Sequence, residues 1–374
     1  MLPPPFQHAL VLTGPTGSGK SQQALLLAQR LDAEIISMDS MALYRGMDIG
    51  TAKPTPEERA AAMHHLIDVL DPWDSSSVAW WLDRARQAAL DIQARGKQVL
   101  LVGGTPLYLK GILFGLFEGP AADTELRRRL EAEATERGAA VLHARLAAVD
   151  PVSAARLHAN DLRRVIRALE VFTLTGRPIS AWQKEWSFSL PPSGAGPSSS
   201  PLASGEGPSS SLPPCGGGPG RGVSDASSAS SDRPTILWLD LPRDVLYERI
   251  NRRVIQMFDA GLAQEVQRLR DNPRGMSKEA RQALGYKETL SHLEGKLTLE
   301  ETIAEIQLRT RRFAKRQITW FRHLPGCRPV SLVDLDALTA PLSSSLFGER
   351  RRAQAAPHPN PPPQRGEGAV FGES

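Results

Sequence analysis

Cysteine is nearly absent. The 374 residues hold two, Cys215 and Cys327, far apart and with no Cys or His at ligand spacing beside either. This argues against a disulfide framework and a zinc site, and it fits a reducing compartment. No apolar run reaches membrane-spanning length. The opening MLPPPFQHALVL has no basic segment ahead of an apolar one, so no secretory signal is expected. One-sided charge is missing too. Forty-five Lys and Arg face 41 Asp and Glu, a net +4, so total charge does not demand a nucleic-acid partner and the distribution must be read instead. No internal repeat is present. These absences lead to the expectation of a cytoplasmic enzyme without membrane attachment; a monomer is expected, though none of these absences bears on it.

What is present alternates between strands and helices. Residues 8–13 (HALVLT), 34–39 (EIISMD), 65–70 (HLIDVL), 98–104 (QVLLVGG) and 235–241 (TILWLDL) read as strands, the last two apolar enough to be buried on both faces. Residues 21–31 and 77–95 carry helical spacing between them. The pattern predicts an α/β fold: a P-loop NTPase-like parallel sheet flanked by helices. Residues 123–175 are charged and rich in Ala, Leu and Arg with no strand-like run, which predicts an inserted all-helical subdomain. Ser, Gly and Pro supply thirty of the 42 residues at 191–232, too little apolar content for a core. The expected organisation is a P-loop core at 1–120 and a helical insertion at 121–186. A disordered insert at 187–233, a return to the core with C-terminal helices at 234–330, and a low-complexity tail at 331–374 follow.

The sharpest local signal is GPTGSGKS at 14–21, between a strand and a helix. Gly14, Pro15, Thr16, Gly17, Ser18 and Gly19 form a turn tight enough for successive N–H groups to converge on an anion, and the following helix adds its positive N-terminus. Lys20 supplies a point charge and Ser21 a hydroxyl for Mg²⁺. Most chains with this loop bind ATP or GTP, but the loop does not name its ligand. An NTPase closes a later strand with an acidic partner for Mg²⁺. Here the strand at 98–104 runs into Gly103-Gly104-Thr105 with no carboxylate. Asp39, at the end of the second strand, is the nearest acidic candidate. Spacing leaves it open whether Asp39 is a Mg²⁺-side ligand, a general base or a helix N-cap.

The set of motifs is more specific than any one of them. GPTGSGKS, DSMALYRGMDIGTAKP (39–54), HHLIDVLDP (64–72) and LLVGGTPLYLKGI (100–112) occur in order. DPVSAARLHANDLRRVIRALEVF (150–172), RINRRVIQM (249–257), QALGYKE (282–288) and AKRQITWFR (314–322) follow. Together they resemble the tRNA dimethylallyltransferase (tRNA isopentenyltransferase) family across nearly all of residues 8–324. The Ser/Gly/Pro stretch and the long tail depart from the family, and the zinc-finger extension of its eukaryotic members has no counterpart.

The resemblance implies transfer of a dimethylallyl group from its diphosphate to N6 of the adenosine just 3′ of the anticodon, in tRNAs reading codons that begin with U. The phosphate loop then holds an isoprenoid diphosphate with Mg²⁺. By the same resemblance Asp39 is the base that accepts the N6 proton, and Arg253 joins Lys20 on the diphosphate. Thr105 stands at the mouth of the reaction channel. Asp39, Ser40, Met41, Ala42, Thr105, Arg127, Arg163, Arg164, Val165, Ile166, Arg167 and Gln282, Ala283, Leu284, Gly285, Tyr286, Lys287 match tRNA-contact positions. Arg249, one turn from Arg253, reads as a solvated charge. His64 and His65 read as structural. Of Trp80, Trp81 and Trp320, at least one is expected to pack in the core. Arg309, Arg311, Arg312, Lys315, Arg316 and Arg322 form a basic run that is either a solvated face or an RNA surface. The alternatives are a P-loop kinase of small molecules or nucleotides, which leaves the arginine-rich insertion unexplained, and a nucleic-acid-binding NTPase, which needs the absent carboxylate.

Overall fold

The computed structural model describes residues 2–115, 119–182 and 236–335. The expected insert at 187–233, Cys215 and all but the first five residues of the expected tail lie outside them. The chain divides into two compact units, one from each side of residues 114–233 and one from within that range; each is described by itself.

The first unit opens with β1 (Leu10–Thr13), buried along its length, and α1 (Lys20–Leu31). Then come β2 (Ala33–Ser37), α2 (Pro56–Ala61), β3 (His64–His65), α3 (Val78–Ala94), β4 (Gln98–Gly103) and α4 (Pro106–Phe114). The second unit holds α5 (Thr124–Arg137), α6 (Ala139–Val149), α7 (Pro151–Arg156), α8 (Leu162–Thr175) and α9 (Ile179–Trp182). The first resumes with β5 (Ile236–Leu239), α10 (Arg243–Asp259), α11 (Leu262–Arg270), α12 (Lys278–Arg281), α13 (Tyr286–Leu293), α14 (Leu299–His323) and β6 (Cys327–Val330).

The six strands form one sheet in the order β3-β2-β4-β1-β5-β6, and every pairing is parallel. Leu12, Leu27, Leu100, Leu237 and their neighbours fill a core between sheet and helices. All C-terminal strand ends lie on one edge, where ligands of such sheets bind. No helix among the described residues is long and apolar enough to cross a membrane.

Two strands differ from expectation. The third is a two-residue strand, not six. Leu66 (φ 60°) and Asp68 (φ 57°) take left-handed backbone, which stops the ladder. Asp68 is held there by Lys53 Nζ at 2.5 Å and Arg59 Nη1 at 2.7 Å. Leu70 then forms an isolated parallel bridge with Tyr44, outside the strands of the sheet. β6 was not foreseen. Its sequence, Cys-Arg-Pro-Val, buries only Val330 fully, so it lacks an apolar run, and its proline is tolerated because the strand is an edge.

The second unit is helical throughout its described residues, around Leu126, Leu130, Leu142, Leu146, Val165 and Leu169. Its polar centre is Glu170, 0% exposed. Arg127 donates to it from Nε at 2.9 Å and Nη2 at 2.8 Å, Arg167 from Nη1 at 2.6 Å, and the Asp123 N–H at 2.7 Å. Burial raises the Glu170 pKa, but the Arg127 and Arg167 hydrogen bonds outweigh it and the net shift is downward. A depressed folded-state pKa contributes stability that is full above the unfolded carboxylate pKa and is lost as pH falls through the folded value. Glu170→Gln should therefore lower unfolding free energy at pH 7 by about 2–3 kcal/mol, at the low end because both guanidiniums keep access to water. It should also flatten the acid limb of stability. Urea unfolding at pH 7 and pH 4 measures both; equal losses at the two pH values would show that the carboxylate does not act through its charge.

Candidate active site

The loop between β1 and α1 is built from backbone conformation. Gly19 has φ 88° and precedes the first turn of α1, a left-handed position that a side chain would strain. Ser18 N–H closes the turn onto Pro15 O at 3.2 Å. Helix α10 lies against the loop: a Cβ on Gly17 would come within 3.0 Å of Ile250 Cγ1. Leu246 and Ile250 seat that helix against Ala314 of α14. Ser18 is buried, and its Oγ has no partner among the described residues. Ser21 is exposed on the first turn of α1.

Lys20 Nζ leans on Pro15 O at 3.4 Å. Burial lowers its pKa to about 8, Asp39 opposes that fall, and Arg253 adds to it. Burial also pushes the Arg253 guanidinium below its ordinary value, again opposed by Asp39. Lys20, Asp39 and Arg253 come from α1, the end of β2 and α10, and they share one electrostatic neighbourhood. Two crowded cations facing one carboxylate leave a surplus of positive charge, a setting that favours an anion.

Asp39 follows the strand end in a side-chain turn. Its Oδ1 accepts N–H bonds from Met41 at 2.9 Å and Ala42 at 3.4 Å. The capping chemistry foreseen for an Asp-Ser pair is present, but it caps a turn, not a helix. Thr105 stands opposite. Its N–H donates to Met38 O at 3.2 Å, and its Oγ1 accepts the Ser40 N–H at 3.4 Å. The ends of β2 and β4 are thus tied together around Asp39. A Cβ on Gly103 would lie 2.3 Å from Met38 O, so glycine is required for the approach.

Arg249 departs from the sequence expectation. It is exposed, but its Nη1 donates to Ser18 O at 3.5 Å, so it borders the phosphate loop. Helical spacing alone did not show that α10 lies on that loop. Gln317 was missed altogether: its amide bonds Thr16 N–H at 2.9 Å and Gly104 O at 2.5 Å. The signal available was an amide in the apolar face of a basic helix.

The remaining expected residues separate by burial. In 282–287, Gln282 and Lys287 are exposed, Leu284 is half-buried, and Ala283, Gly285 and Tyr286 are buried. Tyr286 donates its hydroxyl to Glu265 at 2.6 Å. Glu265, 2% exposed, also accepts the N–H groups of Asp48, Ile49 and Gly50 at 2.9, 2.9 and 3.3 Å. Ser40 and Met41 are half-buried and Ala42 is buried. In the second unit, Arg163 and Arg164 are exposed, Val165 and Ile166 are core, and Arg127 and Arg167 are engaged with Glu170. Trp81 packs, stacked on Tyr108 at 4.0 Å. His64 bonds Ala62 O and His65 bonds Glu34, each at 2.7 Å, which is structural work. Cys327 is a free cysteine whose thiol burial pushes up to about 12.

The chain matches the family model of IPP transferase over residues 42–200 and 218–324, and that of isopentenyl transferase over residues 7–68. The chain belongs to the IPP transferase family. A tRNA dimethylallyltransferase of Geobacter metallireducens is 42% identical over 313 residues, 84% of this chain and 89% of that protein. One of Thioalkalivibrio sulfidiphilus is 41% identical over 350 residues, 93% of this chain and 98% of that one. A solved tRNA isopentenylpyrophosphate transferase from Bacillus halodurans aligns with TM-score 0.58 at 35% identity, covering 94% of this chain and 100% of that one. A eukaryotic dimethylallyltransferase acting on tRNA gives TM-score 0.61 at 25% identity, covering 95% and 81%. IPP transferase membership matches the sheet and the loop, and it removes the kinase and NTPase alternatives.

The Lys20 pKa gives a pH test. Its ammonium is charged below about 8 and loses its proton above that value, so anion binding at the loop should weaken as pH rises from 7 to 9. Pyrophosphate titration calorimetry on the protein and on Lys20→Met measures this, the variant correcting for the ligand's own protonation. Parallel pH curves for the two proteins would show that Lys20 does not hold the anion.

Proposed function

We propose that the chain transfers a dimethylallyl group from dimethylallyl diphosphate to N6 of the adenosine 3′-adjacent to the anticodon, in tRNAs reading codons that begin with U. Diphosphate is the second product, and the reaction is placed in the cytoplasm with the chain acting as a monomer. The observation that carries the reading is the meeting of Lys20, Arg253 and Asp39 at the phosphate loop of an IPP transferase.

The adenine N6 lone pair is delocalised into its ring, so the amine attacks weakly until a base takes its proton. Asp39 takes that role in this reading. Oδ1 is occupied by two turn N–H groups, which fixes the plane of the carboxylate and leaves Oδ2 to accept the proton. The N6–carbon bond forms, the allylic C–O bond breaks, and the electron pair leaves with the diphosphate. Lys20, Arg253 and the loop N–H groups meet the negative charge that grows on it. Thr105, tied to Ser40 and Met38, orders the side of the site where the base enters.

Among the described residues, no cluster of three His, Cys, Asp or Glu is placed to hold a metal. Mg²⁺ does not need one, because it is commonly held through few protein oxygens, water and substrate phosphates. The Ser21 hydroxyl, exposed at the first turn of α1, fits that demand together with diphosphate oxygens. Bound there, Mg²⁺ would neutralise charge on the leaving group.

Exposed Arg163 and Arg164 suit the tRNA backbone, as do Gln282 and Lys287. Arg312, Lys315, Arg316 and Arg322 are also exposed, on one long helix. A flipped base in an anticodon loop has no pairing partner to lose, so its entry costs less than from a duplex.

The test combines purified protein, Mg²⁺, unmodified tRNA and dimethylallyl diphosphate, with and without ATP. Prenylated tRNA should form at equal rates in both. A requirement for ATP, consumed in step with product, would overturn the diphosphate reading of the loop. In the same assay Asp39→Ala should lower turnover by roughly 10²–10⁴-fold, the usual worth of a positioned base. Near-normal turnover would reduce Asp39 to its turn-capping role.

A further inference from the structure

We infer that Gln317 is a positioning residue for the diphosphate: a buried amide that fixes the phosphate loop in its binding shape. The inference rests on the reading of that loop as a diphosphate site.

Gln317 lies on α14, 301 residues beyond the loop it touches. Its side chain is buried, with 3% of the residue exposed. Oε1 accepts the Thr16 N–H at 2.9 Å, and Nε2 donates to Gly104 O at 2.5 Å. Both ends of the amide are therefore used, one on the phosphate loop and one on the turn after β4. The crowding around Gly104 shows how closely the parts meet. A Cβ there would lie 2.6 Å from Gln317 Nε2, 3.1 Å from Gly14 O and 3.6 Å from Lys20 Nζ.

The residue type follows from the chemistry. The position needs an acceptor facing an N–H and a donor facing a carbonyl at the same time. Among side chains of this length only the amide of Gln provides both without a charge. A carboxylate could still accept from Thr16 but would set an oxygen against Gly104 O. An apolar chain would leave a buried N–H and a buried carbonyl unsatisfied, which is among the costlier defects in a protein interior. With the Thr16 N–H committed to Gln317, the crown of the loop cannot swing, and the N–H groups of the later loop residues stay aimed at one point. Such preorganisation lets donors bind an anion without first reorganising. Gln317 also keeps Thr105, the residue after Gly104, in fixed register with the loop.

The expected signature is confined to the diphosphate end. Gln317→Met, which keeps the volume and removes both bonds, should raise the KM for dimethylallyl diphosphate and the Kd for magnesium pyrophosphate by roughly tenfold or more, as loss of two buried bonds implies. The Kd for tRNA should stay within about twofold, since the amide faces protein and not solvent. Gln317→Glu, one atom different, should give a similar or larger loss, because its charge also opposes the anion. The measurements are pyrophosphate calorimetry, tRNA filter binding and steady-state kinetics, each beside a melting curve. If the unaltered protein neither binds magnesium pyrophosphate nor transfers without nucleotide, the loop reading fails and takes this inference with it. If the unaltered protein does both, and either folded variant binds pyrophosphate as tightly as it does, the loop reading stands and Gln317 has no positioning role. A parallel loss of pyrophosphate and tRNA affinity would likewise overturn the inference in favour of general destabilisation.

Discussion

Two cations crowded toward one carboxylate set the terms for the rest of this site. Burial depresses the charged forms of both Lys20 and Arg253, and Asp39 only partly offsets it. Such a cluster is unfavourable without a ligand, so it persists only where the fold leaves its members no better place. The surrounding structure supplies that constraint. Lys20 opens α1 and cannot leave the loop. Arg253 is carried by a helix whose Leu246 and Ile250 are locked against α14. Asp39 is pinned by two N–H bonds within its own turn. On the proposed reading, an incoming diphosphate would find its counter-charges already arranged.

The parallel sheet is what allows three distant segments to meet. In a parallel sheet every strand ends on the same edge. The phosphate loop, Asp39 and Thr105 are therefore neighbours because they follow β1, β2 and β4, which pair in the order β2-β4-β1. Arg253 and Gln317 arrive differently, from helices that follow β5. The candidate site is thus divided between strand-end segments, which carry the phosphate loop, Asp39 and Thr105, and C-terminal helices, which bring Arg253 and tie the loop through Gln317.

That division also decides what could be read from sequence. Strands β1, β4 and β5 were legible because they are almost continuously apolar, and β2 because its short apolar centre runs into the polar turn at Asp39. The loop was legible because its spacing reflects backbone geometry. β6 was not, since an edge strand of Cys-Arg-Pro-Val carries no periodic signal. The third strand was over-read, because the alternation of His-Leu-Ile-Asp-Val-Leu says nothing of the left-handed turns at Leu66 and Asp68. Arg249 and Gln317 depend on where α10 and α14 pack, and such contacts across more than two hundred residues leave at most a faint local trace, the amide set in the apolar face of α14.

Motif resemblance could not separate surface from scaffold. In 282–287, the exposed Gln282 and Lys287 face solvent, while Tyr286 turns inward to Glu265, whose carboxylate gathers three N–H groups of the loop at 48–50. A Cβ on Gly50 would lie 2.4 Å from that same tyrosine ring, so the loop is clamped from above as well as from its amides. The segment therefore has two jobs: its polar ends present a surface, and its aromatic centre fixes the loop that follows the Asp39 turn. The same holds for 163–167, where Arg163 and Arg164 are exposed, Val165 and Ile166 are core, and Arg167 is spent on Glu170. A charge presented to RNA is useful only if the helix beneath it stays put, because a flexible cation surrenders in entropy much of what it gains in attraction. On the proposed reading, the buried members of each motif would serve recognition by holding the exposed ones in place, without touching the substrate.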